Sequence, residues 1–118
     1  MTVKPIGQYW EQRAEHFLMQ HGLQLITRNF STPAGEIDLI MRDTDCVAFI
    51  EVRYRGGTRF GSAIHSVTAA KQRKLKRCAA LFVNRQTAWS HHPCRFDVIA
   101  YDAPNGDVEP VWIRAAFD

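Results

Sequence analysis

Apolar positions return along this chain with two different periods, and the switches between them lay out its elements. From about Ile6 to His21 the residues Trp10, Ala14, Phe17 and Leu18 recur at helical spacing, and Gly22 follows where a helix would close through a left-handed residue. Glu11 precedes Ala14 by three positions and Leu18 by seven, at the edge of the inward stripe. An exposed helix acid is the default for such a residue, although from there it could also reach a sheet. Leu23, Leu25 and Thr27 then alternate as a first strand, and Ser31-Thr32-Pro33-Ala34-Gly35 turns the chain. In the next stretch Ile37, Leu39 and Met41 point one way and Glu36, Asp38 and Ile40 the other. Further on, Glu51 and Arg53 share a face with Val47 and Phe49. A two-residue turn at Thr44-Asp45 pairs Asp43 with Cys46 and, counting outward, Asp38 with Glu51.

A second helix is expected from about Val67 to Asn84, started by Ser66 or Thr68 and carrying Leu75, Cys78 and Phe82 as its apolar stripe. Lys71 stands four residues before Leu75 on that stripe, so it either snorkels past the core, the default, or approaches the sheet. Cys94 to Tyr101 alternates as a further strand, and Val111, Trp112 and Ile113 are a candidate edge element. Between Tyr54 and the helix lies a loop with Gly56, Gly57, Arg59 and Gly61, read as mobile; no Gly-Lys-Ser/Thr follows it as in a Walker loop. The order αβββαβ predicts an α/β fold with a mixed central sheet flanked by helices, the crossover helix making strands three and four parallel.

A length of 118 residues with 46% hydrophobic content fits one domain over residues 1–118. No apolar run approaches the roughly 18 residues of a membrane span, and Met1-Thr2-Val3-Lys4-Pro5 does not begin a secretory leader, so a cytoplasmic location is expected. Three widely spaced cysteines, Cys46, Cys78 and Cys94, are expected as buried reduced thiols. His91-His92-Pro93-Cys94 lacks the fourth spaced ligand of a zinc site.

Charge changes the picture more than composition does. The net value is only +3, yet no Asp or Glu occurs from Val52 to Phe96, and that stretch holds ten of the 15 Lys and Arg residues. They are Arg53, Arg55, Arg59, Lys71, Arg73, Lys74, Lys76, Arg77, Arg85 and Arg95. Basic helix faces ordinarily carry interspersed acids, so an uninterrupted positive region points to a polyanion such as a phosphate backbone. Beside it, Asp38 and Glu51 as cross-strand neighbours would repel by about 3 kcal/mol at an effective dielectric near 20. A divalent cation, a shared proton or Arg53 would relieve that repulsion; a plain Asp38-Arg53-Glu51 salt-bridge cluster is the structural alternative.

The acid in one strand followed by acid-x-cation in the next resembles the signature of the restriction-endonuclease-like superfamily, the PD-(D/E)XK nucleases. More closely, Gly7, Glu11 and Ala14, the run Gly35-Glu36-Ile37-Asp38-Leu39-Ile40, the run Phe49-Ile50-Glu51-Val52-Arg53-Tyr54-Arg55, Phe60-Gly61, Lys71 and Arg95-Phe96-Asp97-Val98 resemble the YraN family of bacterial predicted endonucleases. The resemblance implies a restriction-endonuclease-like fold and a Mg²⁺- or Mn²⁺-dependent endonuclease acting on structured or branched DNA. Asp38 and Glu51 would be metal ligands, with the Val52 carbonyl a further oxygen, and Glu11 would match the helix acid of resolvase-like members. Arg55, Arg59, Arg73, Lys74 and Arg77 are the candidate nucleic-acid contacts, and a homodimer is one arrangement such enzymes take. Two positions depart from the signature: Ile37 stands where many members have Pro, and Arg53 where Lys is expected. Arginine keeps its proton, so any mechanism needing a neutral amine there is closed; Arg53 could clamp a phosphate or orient water, and Lys71 could supply the amine. Retention of the fold for nucleic-acid binding without cleavage is the alternative, and an adaptor docking an acidic protein on the basic face is a third.

Overall fold

The computed structural model describes residues 6–54, 67–101 and 109–118. Helix α1 spans Ile6–Gln20, followed by strands β1 (Gln24–Thr32), β2 (Gly35–Asp43) and β3 (Cys46–Tyr54), helix α2 (Ala69–Arg85), a short 3₁₀ turn (Thr87–Trp89), and strands β4 (Cys94–Tyr101) and β5 (Val111–Phe117). The five strands form one mixed sheet in chain order; β3 and β4 are parallel, and every other neighbouring pair is antiparallel. This is the expected mixed α/β architecture, compatible with a restriction-endonuclease-like core. None of the described helices is long and apolar enough to cross a membrane.

Each face of the sheet carries one helix and one core. Trp10, Ala14 and Leu18 of α1 pack on Leu39, Met41, Ala48, Ile50 and Ile99, all at most 3% exposed. On the opposite face Leu75, Cys78, Ala79 and Phe82 of α2 pack on Ile37, Ile40, Val47, Phe49 and Val98. Burying side chains of this size is worth roughly 1.5–3 kcal/mol each relative to exposure, so both helices are held firmly on the strands that carry the acids. Thr68 caps α2 by accepting from the Lys71 N–H at 3.2 Å, which sets where the first turn, and Lys71 with it, begins.

Several expectations need correction. Strand β1 continues through Ser31 and Thr32, and only Pro33 and Ala34 form the turn. Gly35 leaves it at φ +149°, with Cys78 and Lys74 of α2 close enough that a side chain there would lie against them. Ile37 does not share a face with Leu39 and Met41: it packs in the α2 core and they pack in the α1 core, so the alternation of β2 slips at Asp38. Asn29, beside that point on β1, is left-handed at φ +51°, a conformation that interrupts strand periodicity and that Asn tolerates better than most residues. Of the three thiols, all free, only Cys78 is buried; Cys46 is half-buried and Cys94 exposed, because they stand at strand starts beside turns. The edge element is a full strand, Val111–Phe117, anchored by Asp97.

Candidate functional site

The β2–β3 hairpin has the two-residue turn expected of it, pairing Asp43 with Cys46 and running to Leu39 opposite Ile50. The pairing ends there, one residue short of Asp38 on β2 and Glu51 on β3. Here the strands stop exchanging backbone bonds: the Val52 N–H donates to Asp38 Oδ2 at 2.8 Å. A strand residue projects its N–H and C=O to the same side, so the Val52 carbonyl faces the same gap.

Glu51 is 5% exposed. Its Oε2 lies 3.0 Å from Arg53 Nη2 and 3.7 Å from Lys71 Nζ, while Oε1 is buried without a hydrogen-bond donor. Burial pushes its carboxyl up to about 7, the Asp38 charge adds to this, and Arg53 and Lys71 pull the other way. Asp38 is half-buried and also raised, by burial first, against the opposing pull of the Val52 N–H and Lys71. Glu11 completes the cluster from α1, pushed up to about 7 by burial, by the charges of Asp38 and Glu36, and by a hydrogen bond to Asp38. Asp38 thus lies within electrostatic reach of both Glu11 and Glu51.

Five residues picked out from the sequence thus converge: Glu11, Asp38, Glu51, Arg53 and Lys71. Glu11 is not a plain solvated acid, and Lys71 does not snorkel away. Arg73, Lys74, Lys76 and Arg77 lie exposed along α2 downstream of Lys71, and none has an acidic partner among the described residues. Arg55 and Arg59, with the glycine-rich loop and Phe60-Gly61, lie outside the described residues. Sequence reasoning missed Asn29 and Glu36. With its amide nitrogen turned toward the acids, Asn29 donates to Glu11 Oε1 at 2.9 Å and Glu36 Oε1 at 3.2 Å, tying α1 to the hairpin. The available signal was an Asn inside a strand, where it is a poor fit, next to the segment bearing the acids.

The donor set is hard oxygen throughout: two adjacent carboxyls, one with a buried orphan oxygen, and a backbone carbonyl. Among the described residues no three His, Cys, Asp or Glu side chains form a ready metal cage. Two carboxyls and a carbonyl would suit Mg²⁺ or Mn²⁺, which prefer oxygen ligands and keep several waters. The residues fit such an ion.

Residues 10–101 match the uncharacterised protein family UPF0102. A UPF0102 protein of Pseudomonas syringae pv. syringae (strain B728a) is 47% identical over 118 residues, covering 99% of this chain and 96% of the relative. One from Stutzerimonas stutzeri (strain A1501) is 48% identical over 109 residues, covering 89% and 91%. A third, from Pseudomonas putida (strain W619), is 43% identical over 113 residues, covering 95% and 92%.

Proposed function

We propose that this chain, which belongs to the uncharacterised protein family UPF0102, is a divalent-metal-dependent phosphodiesterase that hydrolyses the backbone of structured or branched DNA. The observation that carries the reading is Asp38, whose carboxylate accepts from the Val52 N–H beside Glu51, with Arg53 and Lys71 both on Glu51 Oε2. Asp38, Glu51 and the Val52 carbonyl would hold Mg²⁺ or Mn²⁺. When bound, such an ion neutralises phosphate charge and lowers the pKa of water for attack on phosphorus.

The chain's own groups supply the rest. The exposed cations of α2 bind phosphates and lead along the helix to Lys71, whose ammonium stands at the carboxylates. Lys71, a hydrogen-bond donor held at Glu51, is the group placed to meet the attacking or leaving oxygen. Arg53 remains charged, holds Glu51 in place and presents a fork to a phosphate oxygen. The likeness to the PD-(D/E)XK signature and to the YraN proteins supports the same reading, with the lysine's work divided between Arg53 and Lys71.

Purified protein incubated with four-way junction, flap, single-stranded and duplex DNA is expected to cut at least one of them in Mg²⁺ or Mn²⁺ and none in EDTA. Asp38→Ala and Glu51→Ala should each abolish cutting; undiminished cleavage by both variants would remove the site. Arg53 in place of the signature lysine favours one second reading, binding without hydrolysis, which predicts salt-sensitive affinity and no metal-dependent cleavage on any of these substrates.

A further inference from the structure

On the flank of α1 away from Glu11, a groove of about 500 Å³ is lined by Tyr9, Arg13, Phe17 and Gln20 of the helix, Tyr101 at the end of β4, and Pro110. Its chemistry differs from that of the carboxylate cluster. Tyr9 is 45% exposed and meets Trp10 edge-on at 5.0 Å. The Arg13 guanidinium lies 5.6 Å from the Tyr101 ring centre and 5.8 Å from that of Trp10, with Nη1 3.4 Å from the Tyr9 hydroxyl. A solvent-facing ring beside a planar cation held against aromatic walls presents flat surfaces of the kind on which nucleobases stack. Glu109 on the rim repels a phosphate but can accept from a base amino group, so the groove suits a base better than a backbone.

The groove connects to the candidate site through α1. Trp10, which immediately precedes Glu11, stacks on Tyr54 at 4.3 Å and lies 4.8 Å from Tyr101; Tyr54 and Tyr101 are paired across the parallel strands. Tyr54 is three residues beyond Glu51, and the two side chains leave β3 on opposite faces: Tyr54 packs in the α1 core, whereas Glu51 meets Lys71 of α2. A nucleotide strand that meets the carboxylates on the Glu11 side of the sheet can pass along α1 to place a base in this groove.

We propose that the Tyr9–Arg13–Tyr101 groove is a stacking subsite for an unpaired nucleobase, so that the substrate carries a single-stranded segment beside the phosphate presented to the carboxylates. The proposal rests on the phosphodiesterase reading and narrows it, because a fully paired duplex keeps its bases stacked inside.

The test compares a short single-stranded DNA of mixed sequence with an abasic oligomer of the same length, by fluorescence anisotropy in EDTA at low salt. Tyr9→Ala should weaken binding of the base-bearing DNA roughly tenfold and leave the abasic oligomer unchanged. Tyr9→Phe, which keeps the ring, should bind like wild type. Arg73→Glu should weaken both oligomers, since it removes charge alone. The substituted Tyr9 is a surface residue, and an unmoved unfolding midpoint shows that the fold persists. Equal losses on the two oligomers, or none on either, would overturn the subsite. If wild-type protein binds and cuts DNA while Tyr9→Ala changes neither affinity, the subsite fails and the phosphodiesterase reading stands. If wild-type protein binds neither oligomer and cuts nothing, both fail.

Discussion

Lys71 Nζ lies 3.7 Å from Glu51 Oε2, joining the first turn of α2 to the acid-bearing strand. The strand itself supplies Arg53, a cation that cannot act as a base, so the amine reaches the carboxylates from a different element. Removing Lys71 should therefore damage the reaction more than it damages the fold.

Lys71→Ala is expected to lower the rate of metal-dependent cleavage by about 100-fold, the scale of general acid–base assistance, with a much smaller change in DNA affinity. Single-turnover cleavage and anisotropy on the same preparation measure the two effects. Adding Arg53→Lys to that variant should restore part of the rate, because it returns an ionisable amine beside Glu51; a double variant no faster than Lys71→Ala would show that the amine is not the missing element.

Metal and pH should act on stability in opposite directions. Glu51 has an ordinary value of 4.5 and is held at about 7 in the folded protein, so between those values the folded state binds the extra proton. Folding is then favoured at low pH, and stability falls as pH rises from about 4.5 through 7, by on the order of 3 kcal/mol from Glu51 alone. Glu11 moves in the same direction. Urea unfolding in EDTA across this range should show the decline, Glu51→Gln should reduce it to the part due to Glu11, and Mg²⁺ above pH 7 should reverse it.

Binding of the ion can be read without any catalysis. A Mn²⁺ titration followed by paramagnetic broadening should affect amides near Asp38 and Val52 first in wild-type protein. Asp38→Asn should remove that local effect, whereas broadening that persists unchanged would place the ion elsewhere.

The basic face of α2 should govern salt dependence. Arg73→Glu with Arg77→Glu is expected to weaken DNA binding at low salt and make the slope of log affinity against log salt shallower, by about 0.7–0.9 for each phosphate that the helix no longer neutralises. An unchanged slope would mean that the helix does not touch the backbone.

Asp97 has a structural role that its place in a motif does not reveal. It is fully buried, accepts from Arg95 Nε at 3.0 Å, from Trp112 Nε1 at 3.1 Å and from the Ala115 N–H at 3.0 Å, and so holds left-handed Ala115 and strand β5 in place. Asp97→Ala leaves three donors unanswered and a partly buried guanidinium with one partner fewer, which should cost about 3–5 kcal/mol in urea unfolding. Asp38→Asn, at a site strained by its own charges, should not destabilise comparably.

Much of the architecture was legible in the pattern of residues because each signal is local. Period 3.6 in Trp10, Ala14 and Leu18 and in Leu75, Cys78 and Phe82 specifies helices with one buried stripe. A two-residue turn at Thr44-Asp45 sets Asp43 opposite Cys46, as found, and the ladder runs to Leu39 opposite Ile50, just short of the two acids. The crossover helix makes β3 and β4 parallel, as found. What failed were features with nonlocal causes. The slip at Asp38, which moves Ile37 to the other face, goes with left-handed Asn29 on the neighbouring strand, and alternation within β2 carries no trace of it.

The sequence alone determined which groups could do chemistry here: paired acids on a hairpin, a long stretch of cations without acids, and an arginine where an amine is expected. Folding is what brings Glu11 near Asp38 and Lys71 to Glu51, and gathers Tyr9, Arg13 and Tyr101 around one groove. Those outcomes depend on how two helices are set across a sheet, and packing of distant segments fixes that angle and depth. Spacing along the chain can place a residue on a face, but not over a particular neighbour.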